Sequence, residues 1–73
     1  MKLKWTEEDG ASHFRGKAGI MFKIDVFHLG LSLEYYDYGV VTDWSQFDYI
    51  DDAKDAAQQM YDELTRVTIT RNN

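Results

Sequence analysis

The chain of 73 residues contains no cysteine and no proline. It also has no apolar run approaching the roughly 20 residues that a membrane helix requires. Without cysteine there is no disulfide staple and no thiolate metal site. The N-terminus lacks a secretory apolar region, so a cytoplasmic protein with no membrane association is expected. Positive charge is scarce: 8 Lys and Arg stand against 13 Asp and Glu, for a net charge of −5. That balance argues against a general binder of phosphate backbones. The composition is 44% hydrophobic and 15% aromatic, which argues against disorder. A chain this short has room for one domain, residues 1–73, and buries only about 60% of its unfolded surface.

The negative charge is concentrated. Residues 34–55 hold Glu34, Asp37, Asp43, Asp48, Asp51, Asp52 and Asp55 against Lys54 alone, a sum of −6. The other segments balance: +1 over residues 1–17 and zero over 18–33 and 56–73. No repeat, linker or low-complexity segment interrupts the chain.

Strand signals fill the first two thirds. Ile20, Phe22, Ile24 and Val26 alternate with Met21, Lys23, Asp25 and Phe27, and Leu31, Leu33 and Tyr35 alternate with Ser32, Glu34 and Tyr36. This period of two marks half-buried strands. The His28-Leu29-Gly30 connection between them reads as a hairpin. Leu3 to Thr6 reads as a short strand before an Asp9-Gly10 turn, Ser12 to Arg15 as another, and Val40 to Trp44 as an edge strand. Whether residues 2–15 hold one strand or two stays open.

The last third is helical. Ile50, Ala53, Ala57, Met60, Leu64 and Val67 are spaced 3, 4, 3, 4, 3, which puts them on one stripe. Asp48 is placed to cap the first turn, Asp51 and Asp52 to favour the positive end of the helix dipole, and Asp62 to pair with Arg66. The β-branched run from Val67 to Thr70 is expected to end the helix or add a last short strand. The class is therefore α+β: an antiparallel sheet of three to four strands (about residues 2–45) packed on one C-terminal amphipathic helix (about residues 49–67).

Three stretches carry a resemblance: Lys4-Trp5, then Gly19 to Ile24 with one extra residue before Phe22-Lys23-Ile24, then Ala53-Lys54-Asp55-Ala56-Ala57-Gln58 with Tyr61. The chain resembles small uncharacterised ββββα proteins of phages and prophages in these stretches, which span most of its length. The matched residues are structural. The resemblance implies a fold and a phage or prophage setting, hence the host cytoplasm, and it implies no reaction. The Tyr36/Tyr38 cluster and the acidic centre depart from the pattern.

No chemistry-bearing constellation emerges. His13 and His28 lack partners at a ligand spacing and read as turn histidines. Asp51, Asp52 and Asp55 sit among alanines on a helix, where a calcium loop cannot form. There is no nucleophile elbow and no phosphate loop. The expectation is a protein without catalytic residue, metal or cofactor. Gly16-Lys17-Ala18-Gly19 matches the Gly-x-x-Gly of KH domains, but it precedes a strand and reads as a turn. The Ala-Lys-x-Ala-Ala helix is similar to the last helix of double-stranded RNA-binding domains, yet Asp51 and Asp52 stand where those domains present basic residues. Nucleic-acid binding is reduced to a basic edge of Lys2, Lys4, Arg15 and Lys17.

Protein binding fits better. Residues 34–55 interleave acids with Tyr35, Tyr36, Tyr38, Trp44, Phe47 and Tyr49. Tyr35, Trp44 and Phe47 are assigned to the core, Tyr36 and Tyr38 to the surface. Tyrosines beside carboxylates suit an interface, although a merely solvated acidic face is the alternative. The candidate partner-binding residues are Glu34, Tyr36, Asp37, Tyr38, Asp43, Asp48, Asp51, Asp52 and Asp55. The expected partner is a host protein with a basic surface, such as a CRISPR-associated complex inhibited by occupancy of its nucleic-acid channel. The alternative is a homodimer or assembly protein using a sheet edge or an outer face with Met21, Phe27 and Tyr36.

Overall fold

The computed structural model describes residues 2–16, 19–27 and 30–71, with side chains through Arg66. Its elements run β1 (Thr6–Glu8), β2 (Ala11–Arg15), β3 (Ile20–Phe27), β4 (Gly30–Asp37), β5 (Val40–Phe47) and α1 (Ile50–Arg71). All the strands pair antiparallel in sequence order, β1-β2-β3-β4-β5. The fold is thus α+β, with five strands where three to four were expected, packed against one C-terminal helix.

The two central strands follow their alternation. Phe22 pairs with Tyr35 and Ile24 with Leu33, so one face of the sheet is apolar and meets α1, while Val26, opposite Leu31 at the end of that row, is exposed. Phe22 is completely buried. A cross-strand row Phe14–Phe22–Tyr35 spans β2, β3 and β4 with ring centroids 6.1 and 5.5 Å apart. Tyr61 of α1 meets Phe14 edge-on at 5.3 Å. Such pairs add about 0.5–1.5 kcal/mol each beyond buried area. Ala53 and Ala57 are fully buried beneath the sheet; their small side chains let the helix axis approach closely.

The turn that ends β4 has a specific demand. Tyr38 and Gly39 both adopt positive φ, 50° and 83°, as a two-residue type I′ hairpin requires. Positive φ costs a non-glycine residue about 1–2 kcal/mol. Tyr38 has compensating contacts: its N–H donates to the Gly19 carbonyl at 3.0 Å. Its ring also lies on Gly19, so closely that a Cβ there would sit 2.6 Å from ring atoms.

Several expectations shift. Sheet pairing begins at Thr6, whereas Leu3 to Thr6 was read as the first strand. Leu3 instead lies buried in the core, its N–H donating to Gln58 Oε1 at 2.9 Å. An alternating segment can bury one side against a helix without entering a ladder. The sheet extends to Phe47 rather than to about residue 45, and the helix spans Ile50–Arg71 rather than about 49–67. The strand considered for residues 67–70 is helical: continued backbone bonding outweighs the modest helix cost of β-branched residues. The first bond of the helix runs from the Ala53 N–H to the Tyr49 carbonyl, so Tyr49 holds the cap position and Asp48 precedes it. The buried stripe centres on Ala53, Ala57 and Tyr61, and Ile50 is exposed. Arg66 pairs with Glu63, while Asp62 accepts from Gln58 Nε2 at 3.0 Å. The interior of the His28-Leu29-Gly30 connection and of Gly16-Lys17-Ala18-Gly19 lies outside the described residues.

Candidate functional site: the β5 edge and its acidic flanks

β5 closes the sheet on one side. Its geometry follows from one irregularity: Tyr35 pairs with Asp43 but Tyr36 with Val41. Thr42 is therefore an extra residue, a β-bulge. From Asp43 onward alternation resumes, with Asp43, Ser45 and Phe47 toward the helix side and Trp44 and Gln46 toward the open face. Trp44 and Phe47 are three residues apart in one strand and cannot share a face. Phe47 packs against the core. Trp44, assigned to the core from sequence, is instead 51% exposed on the open face, opposite Glu34.

The exposed large apolar side chains collect here. Tyr38 is 75% exposed and Tyr49 70%, and Val40, Val41, Trp44 and Ile50 are exposed between or beside them. Among the described residues Val26 alone joins this class from elsewhere in the fold. Sequence reading did not select Val40, Val41, Trp44, Tyr49 or Ile50. The signals were present in the two-residue turn, which sets the pairing of β4 with β5, and in Tyr49, which falls outside the helical stripe.

The candidate acids other than Asp43 divide into three groups along this side. Glu34 and Tyr36 lie on the open face of β4, where the Tyr36 hydroxyl donates to Glu34 Oε1 at 3.3 Å. Burial, and then the Glu34 charge, push the Tyr36 phenol above its ordinary pKa. Burial, and then the Asp37 charge, act in the same direction on Tyr35. Asp37 and Tyr38 stand at the hairpin tip. Asp48, Asp51, Asp52 and Asp55 are exposed around the start of α1, at the other end of β5. At about 3.4 Å per residue, the eight-residue β5 separates tip and helix start by about 24 Å. The segment that is continuous in sequence is therefore a strip rather than a patch, with acids at both ends and Asp43 between them.

Asp43 makes a contact of its own. Its Oδ1 accepts from the Trp44 N–H at 2.9 Å. In a two-residue hairpin the flanking pair, Asp37 and Val40, is hydrogen-bonded, so the next pair, Tyr36 and Val41, points its amides away from each other. With the bulge counted, Trp44 also points its amide outward, and Asp43 caps it. Asp25 caps the Val26 N–H in the same way at 3.0 Å, at a position beyond the reach of β2.

His13 lies within β2 rather than in a turn, half-buried, and its Nδ1 is buried without a hydrogen-bond partner. The alternation of β2 carries it into the strand. His28 and Lys17 lie outside the described residues. Of the basic edge, Lys2 and Lys4 are exposed, but Arg15 is held by Glu8 through bonds of 2.6 and 3.3 Å. That contact holds the Glu8 carboxyl below its ordinary pKa. The ammonium of Lys54 stands 6.0 Å from the Trp5 ring centre. Among the described residues no cluster of three His, Asp or Glu side chains is arranged to hold a metal, and no helix is long and apolar enough to cross a membrane. Compared with protein-family profiles, with curated proteins and with solved structures, the chain matches none.

Proposed function

We propose that this chain is a non-enzymatic binding protein that acts by occupancy, docking its acidic, aromatic side on a basic surface of a larger protein. One observation carries the reading: exposed large apolar side chains and exposed carboxylates coincide along the β5 side, from Asp37-Tyr38 to Asp48-Tyr49-Ile50 and Asp51. Exposed apolar area gives an interface its affinity, and surrounding charge of one sign gives steering and selectivity. In the phage or prophage setting that the sequence resembles, the partner is a nucleic-acid-handling defence complex of the host cytoplasm, of the CRISPR-associated kind. Lys/Arg channels for guide and target strands present the complementary charge there.

The test is reversal of charge. Replacing Asp51, Asp52 and Asp55 together by lysine is expected to abolish binding while the circular dichroism spectrum stays native. Unchanged affinity in that variant would sink the electrostatic docking. Tyr38→Ala and Tyr49→Ala probe the aromatic part separately, and Tyr36→Ala the open face.

A second reading, self-association through the sheet edge, is favoured by the exposure of Val40, Val41 and Trp44. It predicts a dimer whose mass by light scattering does not change with salt. Nucleic-acid binding has less support, since Arg15 is already neutralised by Glu8; a mobility shift at low ionic strength that fades with salt would revive it.

A further inference from the structure

We infer that the β5 edge accepts a sixth strand: an extended segment of the partner that carries a Lys or Arg opposite Asp43. The inference rests on the docking reading above and names the form the partner takes at that surface. β5 is the long edge of the sheet, eight residues against three in β1, and no strand lies beyond it among the described residues. An added strand gains main-chain hydrogen bonds from such an edge and selectivity from the side chains it meets.

The charges select the occupant. The described side chains of β5 include no cation, and its ends are flanked by Asp37 and Asp48. A second copy pairing antiparallel would set the Asp37 end of one chain beside the Asp48 end of the other, bringing like charges together at both ends. A cationic strand meets opposite charges instead.

Asp43 makes the edge conditional. Its carboxylate occupies the Trp44 N–H, one of the donors that an incoming strand must use. A Lys or Arg placed opposite draws that carboxylate into an ion pair and releases the amide. A neutral or acidic segment meets a donor that is already satisfied. Asp43 is thus a latch on the edge, opened by the side chain it recognises.

The experiment titrates the full chain with two eight-residue peptides of alternating Thr and Val, one with a central Lys and one with a central Glu, and follows backbone amide resonances. The Lys peptide is expected to bind at least tenfold more tightly and to shift the Val41 and Trp44 amides most. Asp43→Asn should bring the two affinities within about threefold of each other. Val41→Pro removes an outward N–H and leaves the β4 ladder intact, because proline is tolerated at that side of an edge strand. It should abolish peptide binding with an unchanged melting temperature. Equal binding of both peptides, binding of neither, shifts confined to other strands, or a dimer of the free chain by sedimentation equilibrium would each overturn the inference. If Val41→Pro still captures the protein partner while the Asp51/Asp52/Asp55 reversal does not, strand addition fails and acidic docking stands. If both variants capture it unchanged, the docking reading fails too.

Discussion

Phe22 and Trp44 are both large aromatics on strands of one sheet, and the structure assigns them opposite consequences. Phe22 has no exposed surface and contacts Phe14 and Tyr35. Its truncation to alanine removes a buried ring and leaves a cavity, at a cost of about 3–5 kcal/mol. At roughly 0.05–0.15 kcal/mol per residue, a chain of 73 residues holds only about 4–11 kcal/mol in total. Phe22→Ala should therefore leave the protein partly or wholly unfolded at room temperature. Trp44 is 51% exposed on the open face. Trp44→Ala should cost less than about 1 kcal/mol, the usual range for a surface site away from caps and core. Urea unfolding followed by circular dichroism measures both, with an unchanged slope showing that the unfolding transition is the same. In a Trp5→Phe background, Trp44 fluorescence should also be open to quenching by acrylamide. A Trp44→Ala loss comparable to that of Phe22→Ala would refute the reasoning. It would place the β5 bulge elsewhere, because a one-residue slip turns every later side chain to the other face.

Other perturbations follow from the same contacts. Gly19→Ala should destabilise by about 1–2 kcal/mol from its positive φ alone, with a further loss from the Tyr38 ring. Adding Tyr38→Ser should recover only that further loss in a thermal melt. Gln58→Ala removes the acceptor of the Leu3 N–H and should cost about 0.5–1.5 kcal/mol, measured by urea denaturation. Tyr35 and Tyr36 have phenols raised in the folded state, so the folded protein holds these protons more tightly than the unfolded chain. Their contribution to stability should be constant below the ordinary tyrosine pKa and be lost as pH rises from there through the folded values. Ultraviolet titration of the phenolates should show Tyr36→Phe removing one late-titrating group.

The sequence made parts of this fold legible because local pattern and tertiary demand agreed there. The alternation of Ile20–Val26 and of Leu31–Tyr35 answers to one face of the sheet, so both strands and their pairing as a hairpin could be read directly, whereas their register, which begins at Phe27 and Gly30, could not. The helix was legible from Ala53 and Ala57. Tyr61 escaped the stripe because a tyrosine is as acceptable at the surface as in the core, and here Phe14 decides. Leu3 and Trp5 carry a strand-like pattern, yet Gln58 and the helix take them out of the ladder. Trp44 departs from its expected core position because its place relative to Phe47, across the bulge, decides the face it takes. The acidic segment was visible as composition, but composition carries no geometry. Only the length of β5 shows that Asp37 and Asp51 stand at opposite ends of one strip, and only its pairing shows Asp43 turned onto its neighbour's amide.

A basic partner docked on the β5 side would shield the backbone of that strand and of the helix start. Amide hydrogen exchange of the chain, free and bound to the protein it captures from a bacterial host extract, tests this most directly. New protection is expected from Asp37 through Trp44 to Asp52, lost when Asp51, Asp52 and Asp55 are reversed to lysine. Protection confined to β1, β2 or the Lys2–Lys4 segment, or capture that survives the reversal unchanged, would contradict it.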